Sequence, residues 1–227
     1  MLLAIALFLS FLCGSIPFGV FIARSRGVDI RSVGSGNIGA TNVWRVLGPK
    51  WGGVSFVLDV AKGVAGPVIG RAILGENATV EIALCGVAAV LGHTFSPFLG
   101  FKGGKGIATS LGAMLGLMPL VGISIAAVWT ISLAVSRMVS VASVVSCVAL
   151  PILAWVLGAP PPFVVVAVSM GVVAFLKHIP NLKRIAAGTE PKVGQKKAAP
   201  NENASGENAP SEAAPNKIET ALLNDEK

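Results

Sequence analysis

Residues 107–136 read IATSLGAMLGLMPLVGISIAAVWTISLAVS, a stretch without a single Asp, Glu, Lys or Arg. A helix needs about 20 apolar residues to cross the ~30 Å hydrocarbon layer. The stretch is either one long span or two short ones, 107–119 and 121–136, and the choice sets the topology of everything after it. Further apolar runs fall at 2–22, 53–75, 79–98, 140–157 and 162–176. With two short spans the total is about seven. An outside N-terminus then places Arg24, Arg26, Arg31, Arg45, Lys50, Lys102, Lys105, Arg137, Lys177, Lys183 and Arg184 in inner loops and only Arg71, with Glu76 and Glu81, in outer ones. Such asymmetry is what membrane insertion selects. Merging the two runs would move Arg137 and the basic 177–184 segment outside. The expected fold is an all-α integral membrane protein of about seven transmembrane helices, N-terminus outside and C-terminus cytoplasmic.

Composition agrees. Of 227 residues, 53% are hydrophobic and 13% charged, and mean hydropathy is +0.76. A soluble globule does not hide that much apolar surface. Formal charge is +8 over residues 1–190 and −1 over 191–227. The basic side chains sit in short loops between apolar runs, so nucleic acid is not an expected partner. Cys13, Cys85 and Cys147 lie singly in or near apolar segments, without metal or redox spacing. Residues 1–191 are expected to be the membrane domain. Residues 192–227, rich in Ala, Pro, Asn and Glu, are expected to be a disordered polar tail.

Three inner segments are dense in Gly, hydroxyls, amides and fixed cations. The first is Gly34-Ser35-Gly36-Asn37-Ile38-Gly39-Ala40-Thr41-Asn42-Val43-Trp44-Arg45. Its glycines permit close backbone approach, successive N–H groups can cradle an anion, and Arg45 offers a fork suited to phosphate. A plain glycine-rich connector is the alternative. The second is Gly92-His93-Thr94-Phe95-Ser96-Pro97-Phe98-Leu99-Gly100-Phe101-Lys102-Gly103-Gly104-Lys105-Gly106. It is not a nucleotide-binding P-loop, because Gly106 rather than Ser or Thr follows the lysine and no strand precedes it. His93 is either a base or a structural hydrogen-bonder. The third is Lys177-His178-Ile179-Pro180-Asn181-Leu182-Lys183-Arg184-Ile185-Ala186-Ala187-Gly188-Thr189-Glu190. Pro180 should end or bend the last span, and Asn181 and Arg184 should share a helix face. Ser140 and Ser143 sit at an inner corner. Asp59 and Lys62, three residues apart within a span, read as a mutual structural pair.

In order and spacing the three segments resemble the motifs of the bacterial acyl-phosphate:glycerol-3-phosphate acyltransferases, the PlsY family, over about residues 1–192. One departure is Ser96, which separates Phe95 from Pro97. The resemblance implies an inner-membrane enzyme with its motifs on the cytoplasmic face, making 1-acyl-glycerol-3-phosphate from acyl phosphate and glycerol 3-phosphate. It places Ser35, Arg45, Lys105, Ser143, His178 and Asn181 on functional positions. The expected catalytic set is Ser35, Arg45, Lys105, His178 and Asn181. The expected substrate-binding set is Gly36, Asn37, Thr41, Asn42, His93, Lys102, Gly103, Gly104, Ser140, Ser143, Arg184, Gly188 and Glu190. Both reactants are anions, and two unit charges 4 Å apart repel by roughly 4 kcal/mol at an effective dielectric of 20. Clustered cations offset that repulsion. With no triad in the spacing, direct attack is the expected route. No metal, cofactor or obligate protein partner is expected. A transporter of organic phosphates is the rival reading, disfavoured because the outer loops are bland and no inverted repeat is visible.

Overall fold

The computed structural model describes residues 1–195, and the expected disordered tail lies almost wholly outside them. Met1–Val193 form one compact unit. Among the described residues all regular structure is helical: α1 (Leu2–Ser15), α2 (Phe18–Ser25), α3 (Ala40–Leu74), α4 (Thr79–Thr94), α5 (Ile107–Leu117), α6 (Pro119–Ser136), α7 (Val139–Val156), α8 (Pro161–Lys177) and α9 (Ile179–Ala186), with a single 3-10 turn at Pro97–Leu99.

Five segments are long and apolar enough to cross a bilayer: Leu2–Ser25, Ala40–Leu74, Thr79–Leu99, Pro119–Ser136 and Val139–Val156. The α8–α9 pair, bent by 53° at His178, is a sixth. The seventh expected span is α5, which has only 11 residues and so rises about 16 Å, half the hydrocarbon thickness. By length it is a short apolar helix rather than a seventh crossing segment, yet it is separate from α6. Lys105, just before α5, bonds Asn181 of α9. Arg137, just after α6, bonds the Val193 backbone, which accepts and donates across that contact. Both ends of the 107–136 stretch therefore meet the same C-terminal segment. The chain must leave that face along α5 and return along α6, reversing at Met118-Pro119, where Gly122 lies against Leu115. The loops at 26–39 and 95–106, the 137–138 corner and 178–193 thus share one face.

Two breaks shape that face. Pro17 lacks the N–H needed to continue α1, and freed carbonyls in a membrane must find donors. Lys62 Nζ donates to Ile16 O at 2.8 Å and Ser96 Oγ to Ser15 O at 2.7 Å. Ser96, the departure from the family pattern, thus pins the α1–α2 break. In α3, Gly48 (φ 83°) precedes Pro49, dividing the helix into an arm, 40–47, and a span. The arm carries Val43 onto Val20, Ala23, Ile30 and Ile38, a small core that holds the 26–39 loop.

The main core joins α4, α5, α7 and α8 through residues such as Val90, Met114, Leu150 and Met170. Phe8, Ile123, Val135, Ile152 and Trp155 face outward, as lipid requires. The small-residue pairs 66–70 and 112–116 close helix contacts: Gly66 and Gly70 seat against Cys85 of α4, Gly112 and Gly116 against Val60 and Pro67 of α3. The open apolar groove lies elsewhere, about 180 Å³ between α7 and α8 beside Cys147, Pro151, Gly171 and Val172.

Candidate active site

Lys105 stands at the centre of the polar face. Gly103 N donates to Thr94 O and Gly104 N to His93 O, both at 3.1 Å. This strap lies so close to the His93 ring that a Cβ on Gly104 would overlap Nε2. The amides of these two glycines, both from the expected substrate-binding set, are therefore spent on the strap. Their task is close packing that aims the next residue. His93, expected to touch substrate, is 4% exposed and supports Gly104 from below, with Nδ1 3.8 Å from Asp59.

The Lys105 ammonium donates to Asn181 Oδ1. Asn181 Nδ2 donates to Glu190 Oε1 at 2.7 Å, and Arg184 Nε donates to Glu190 Oε2 at 2.6 Å. Asn181 and Arg184 do share a face of α9. Glu190 reaches them because Gly188 (φ 68°) takes the left-handed turn after α9 and Thr189 N bonds back to Arg184 O. Gly188, from the expected substrate-binding set, thus serves to reverse the chain. Burial opposes the Glu190 carboxylate, but hydrogen bonds from Asn181 and Arg184 outweigh it and hold the pKa below 4.5. Ser140 Oγ, buried, faces the same carboxylate without a well-aligned bond.

Burial lowers the Lys105 pKa to about 8, helped by the nearby charges of Arg184 and Arg45 and opposed by Glu190. Arg45 and Lys105, distant in sequence, therefore belong to one electrostatic centre. His178 Nδ1 lies 2.8 Å from Ala174 O. A carbonyl only accepts, so Nδ1 carries the proton and Nε2 keeps a lone pair. The ring is buried within range of the Lys105 and Glu190 charges.

Other expected site residues have different duties. Asn42, 1% exposed, accepts from Ser35 N at 2.8 Å and donates to Ile30 O and Val33 O at 3.0 and 3.1 Å. Its oxygen and both amide hydrogens are engaged in clamping the loop that presents Ser35. Asn37 Oδ1 accepts from Gly39 N at 2.8 Å, an Asx turn that starts α3. Ser143 donates to Val139 O at 2.8 Å and accepts from Trp129 Nε1 at 3.3 Å. Ser35, Thr41 and Arg45 remain exposed.

A cavity of about 400 Å³ lies beside this centre, lined by Gly36, Asn37, Lys102 and Gly103 from the expected set and by Arg31 and Lys177, which sequence reasoning left out. The signal for Arg31 was Asp29 two residues earlier: its guanidinium bonds that carboxylate at 2.9 and 2.8 Å.

A helical membrane bundle with an excess of cations around amides and hydroxyls on one face is an arrangement for handling anions at a bilayer surface. The comparisons give that class a family. The sequence profile described as Glycerol-3-phosphate acyltransferase matches residues 4–188, and the chain belongs to that family. A glycerol-3-phosphate acyltransferase of Jannaschia sp. (strain CCS1) is 46% identical over 196 residues, 86% of this chain and 95% of the relative. That of Agrobacterium fabrum is 39% identical over 196 residues, covering 86% and 94%. Among solved structures, PlsY, an integral membrane glycerol 3-phosphate acyltransferase, is similar in its glycerol 3-phosphate form (TM-score 0.80, 38% identity, 85% of this chain and 96% of that one). Its lysophosphatidic acid form matches with TM-score 0.79 and 36% identity, over 85% and 95%. The protein is a member of the PlsY family of integral membrane acyltransferases.

Proposed function

We propose that this enzyme moves a fatty acyl group from acyl phosphate to the C1 hydroxyl of glycerol 3-phosphate, at the cytoplasmic face of a bacterial inner membrane. The products are 1-acyl-glycerol-3-phosphate and phosphate. The observation that carries the reading is the convergence of Lys105 and Arg184 on the Asn181–Glu190 pair, with the Arg45 charge near Lys105. Lys105 and Arg184 share one carboxylate, Arg45 adds a third cation near Lys105, and the surplus matches a phosphate anion. The solved relatives, crystallised with glycerol 3-phosphate and with lysophosphatidic acid, support the same acceptor and product class. The cytoplasmic assignment rests on the cations gathered on that face.

The chemistry needs no covalent enzyme intermediate. The C1 hydroxyl oxygen attacks the acyl carbon, the bond from that carbon to the phosphate oxygen breaks, and phosphate departs with the electron pair. Arg45 and Lys105 offset the repulsion between the two phosphates as they are brought into register, which supplies much of the rate. Developing charge on the carbonyl oxygen is met by fixed donors such as Lys105 and the exposed Ser35 hydroxyl. The hydroxyl proton passes to His178 Nε2 or to the leaving phosphate. His178→Asn separates them: the first route loses activity steeply, the second mainly through altered binding. The acyl tail takes the groove between α7 and α8.

The test is direct. Purified protein given palmitoyl phosphate and glycerol 3-phosphate should release lysophosphatidate and phosphate without coenzyme A or acyl carrier protein. Turnover with acyl-coenzyme A alone would overturn the donor. A stable acyl group trapped on Ser35 would overturn direct attack.

A further inference from the structure

A contact outside the three motif segments also reaches the site. Beyond α9 the chain turns at Gly188, Thr189 N donates to Arg184 O at 2.8 Å, and Val193 N donates to Arg137 O at 2.7 Å. Residues 189–193 therefore form a second strap, pinned near both ends. Glu190 lies between the pins and is buried.

The far pin is a built corner. Arg137 takes φ 58° and ψ 14°, left-handed values that residues with a side chain seldom adopt. Its N–H closes α6 on Leu133 O at 2.8 Å while its carbonyl accepts from Val193. Ser136 Oγ accepts from Met138 N at 3.2 Å and braces the turn. The guanidinium adds only a long bond, 3.5 Å, to Val193 O. The backbone of the corner, more than its charge, holds the strap. Ser140, at the start of α7, comes from the same corner and faces the Glu190 carboxylate.

What the strap fixes is the sense of an amide. A carboxylate only accepts, so the Asn181 group that meets Glu190 is the NH2, and the carbonyl is left for the Lys105 ammonium. Take the carboxylate away and the amide is free to turn over, setting NH2 against the ammonium, donor against donor. We propose that Arg137 is a positioning residue for the acyl transfer: its left-handed backbone pins Val193, the strap holds Glu190, and Glu190 sets the face that Asn181 turns to Lys105. This rests on the Lys105 centre being the reacting site. Arg137 acts through the strap rather than on substrate.

The test uses the full-length protein in detergent. Val193→Pro removes the N–H that meets Arg137, and Val193→Ala keeps it. The first should lower kcat about tenfold, and the second should keep the rate. Arg137→Val, β-branched and ill suited to a left-handed backbone, should fall with Val193→Pro. Arg137→Asn, equally uncharged but tolerant of that state, should recover most of the loss. Hydrogen exchange follows the strap apart from activity: the Thr189 amide should exchange about tenfold faster in Val193→Pro. Two readouts separate positioning from mere support. In a Glu190→Ala background, Val193→Pro should add less than about twofold, because both act on one seat. The alkaline limb of the rate should also move to lower pH. Lys105 is faced by the charges of Arg184, Arg45 and Glu190 and by the His178 ring, and Glu190 is the one that favours the ammonium, so a displaced carboxylate releases the lysine proton earlier. Unchanged Thr189 exchange overturns the pin. Faster exchange with an unchanged rate, or losses that multiply in the double variant, overturns the positioning role. Full rate in Lys105→Ala overturns the reading of the site instead, and the exchange arm still decides whether Arg137 holds the strap.

Discussion

Asp59–Lys62 and Arg45–Lys105–Arg184–Glu190 are both ionic clusters in one small bundle, built to opposite ends. In the first, the Lys62 ammonium meets Asp59 Oδ1 at 2.8 Å and Ile16 O at 2.8 Å and faces the Phe18 ring, and both charged side chains are sealed. Every charge is answered from within the chain. In the second, Lys105 and Arg184 share one carboxylate, a third cation, Arg45, lies exposed near Lys105, and the side chain of Arg184 is 42% exposed. Inside a span, an unanswered charge costs too much to survive. At the aqueous face a surplus is tolerable, and a surplus is what a ligand can fill. Charge left over, rather than charge present, separates the proposed site from the structural cluster.

The contrast breaks most visibly if the wrong cluster proves catalytic. Lys62→Met strands Asp59 and uncaps the α1–α2 break, so it should destabilise the protein by about 3–5 kcal/mol, read as a lowered unfolding midpoint in detergent. Pairing it with Asp59→Asn should recover much of the loss. A stable but inactive Lys62→Met protein would erase the distinction. Lys105→Ala should do the opposite, costing roughly 10²–10³ in rate while the unfolding midpoint moves little.

Gly104→Ala tests how the two regions are joined, because the new methyl meets the His93 ring above Asp59. It should displace Lys105 and lower the rate up to about 10²-fold, and restored activity in Gly104→Ala/His93→Ala would show the clash to be the cause. A gentler probe is pH. With the Lys105 pKa held at about 8 by burial, raising pH through 8 removes its charge, and the rate limited by that cation should fall toward tenfold per pH unit. Stability should not fall with it. Between pH 8 and 10.5 the unfolded chain holds the lysine proton that the folded chain has lost, so stability rises with pH over that window. A parallel loss of both would mean unfolding. The smallest effect belongs to Ser96→Ala, which leaves Ser15 O without its donor. It should cost about 1 kcal/mol in the unfolding midpoint, with activity largely kept.

Much of this was legible in the chain. Hydropathy marked the apolar helices, though not α9 or the 40–52 start of α3, and the charge of Arg137 argued against a single span through 107–136. Pro180 announced the bend at His178, and the i,i+3 spacing of Asn181 and Arg184 put both on one face of α9. What escaped was the use to which polar groups are put. Asn42 and Ser143 look like ligands in a motif, yet their hydrogen bonds are spent on the backbone and on Trp129. The amides of Gly103 and Gly104 look free, yet His93 and Thr94 occupy them. A residue's type states what it can bind, and its neighbours in space have already claimed part of that capacity.

By itself the sequence determined the membrane class, the basic face and the chemistry available there, because apolar content and net charge add residue by residue along the chain. Only the tertiary structure decided that α5 is as short as 11 residues, that Gly188 returns Glu190 to Asn181, and that the cations divide between two places. Those outcomes depend on where the chain reverses and how each helix is rotated against its neighbours. Both are set by contacts between residues far apart in the chain.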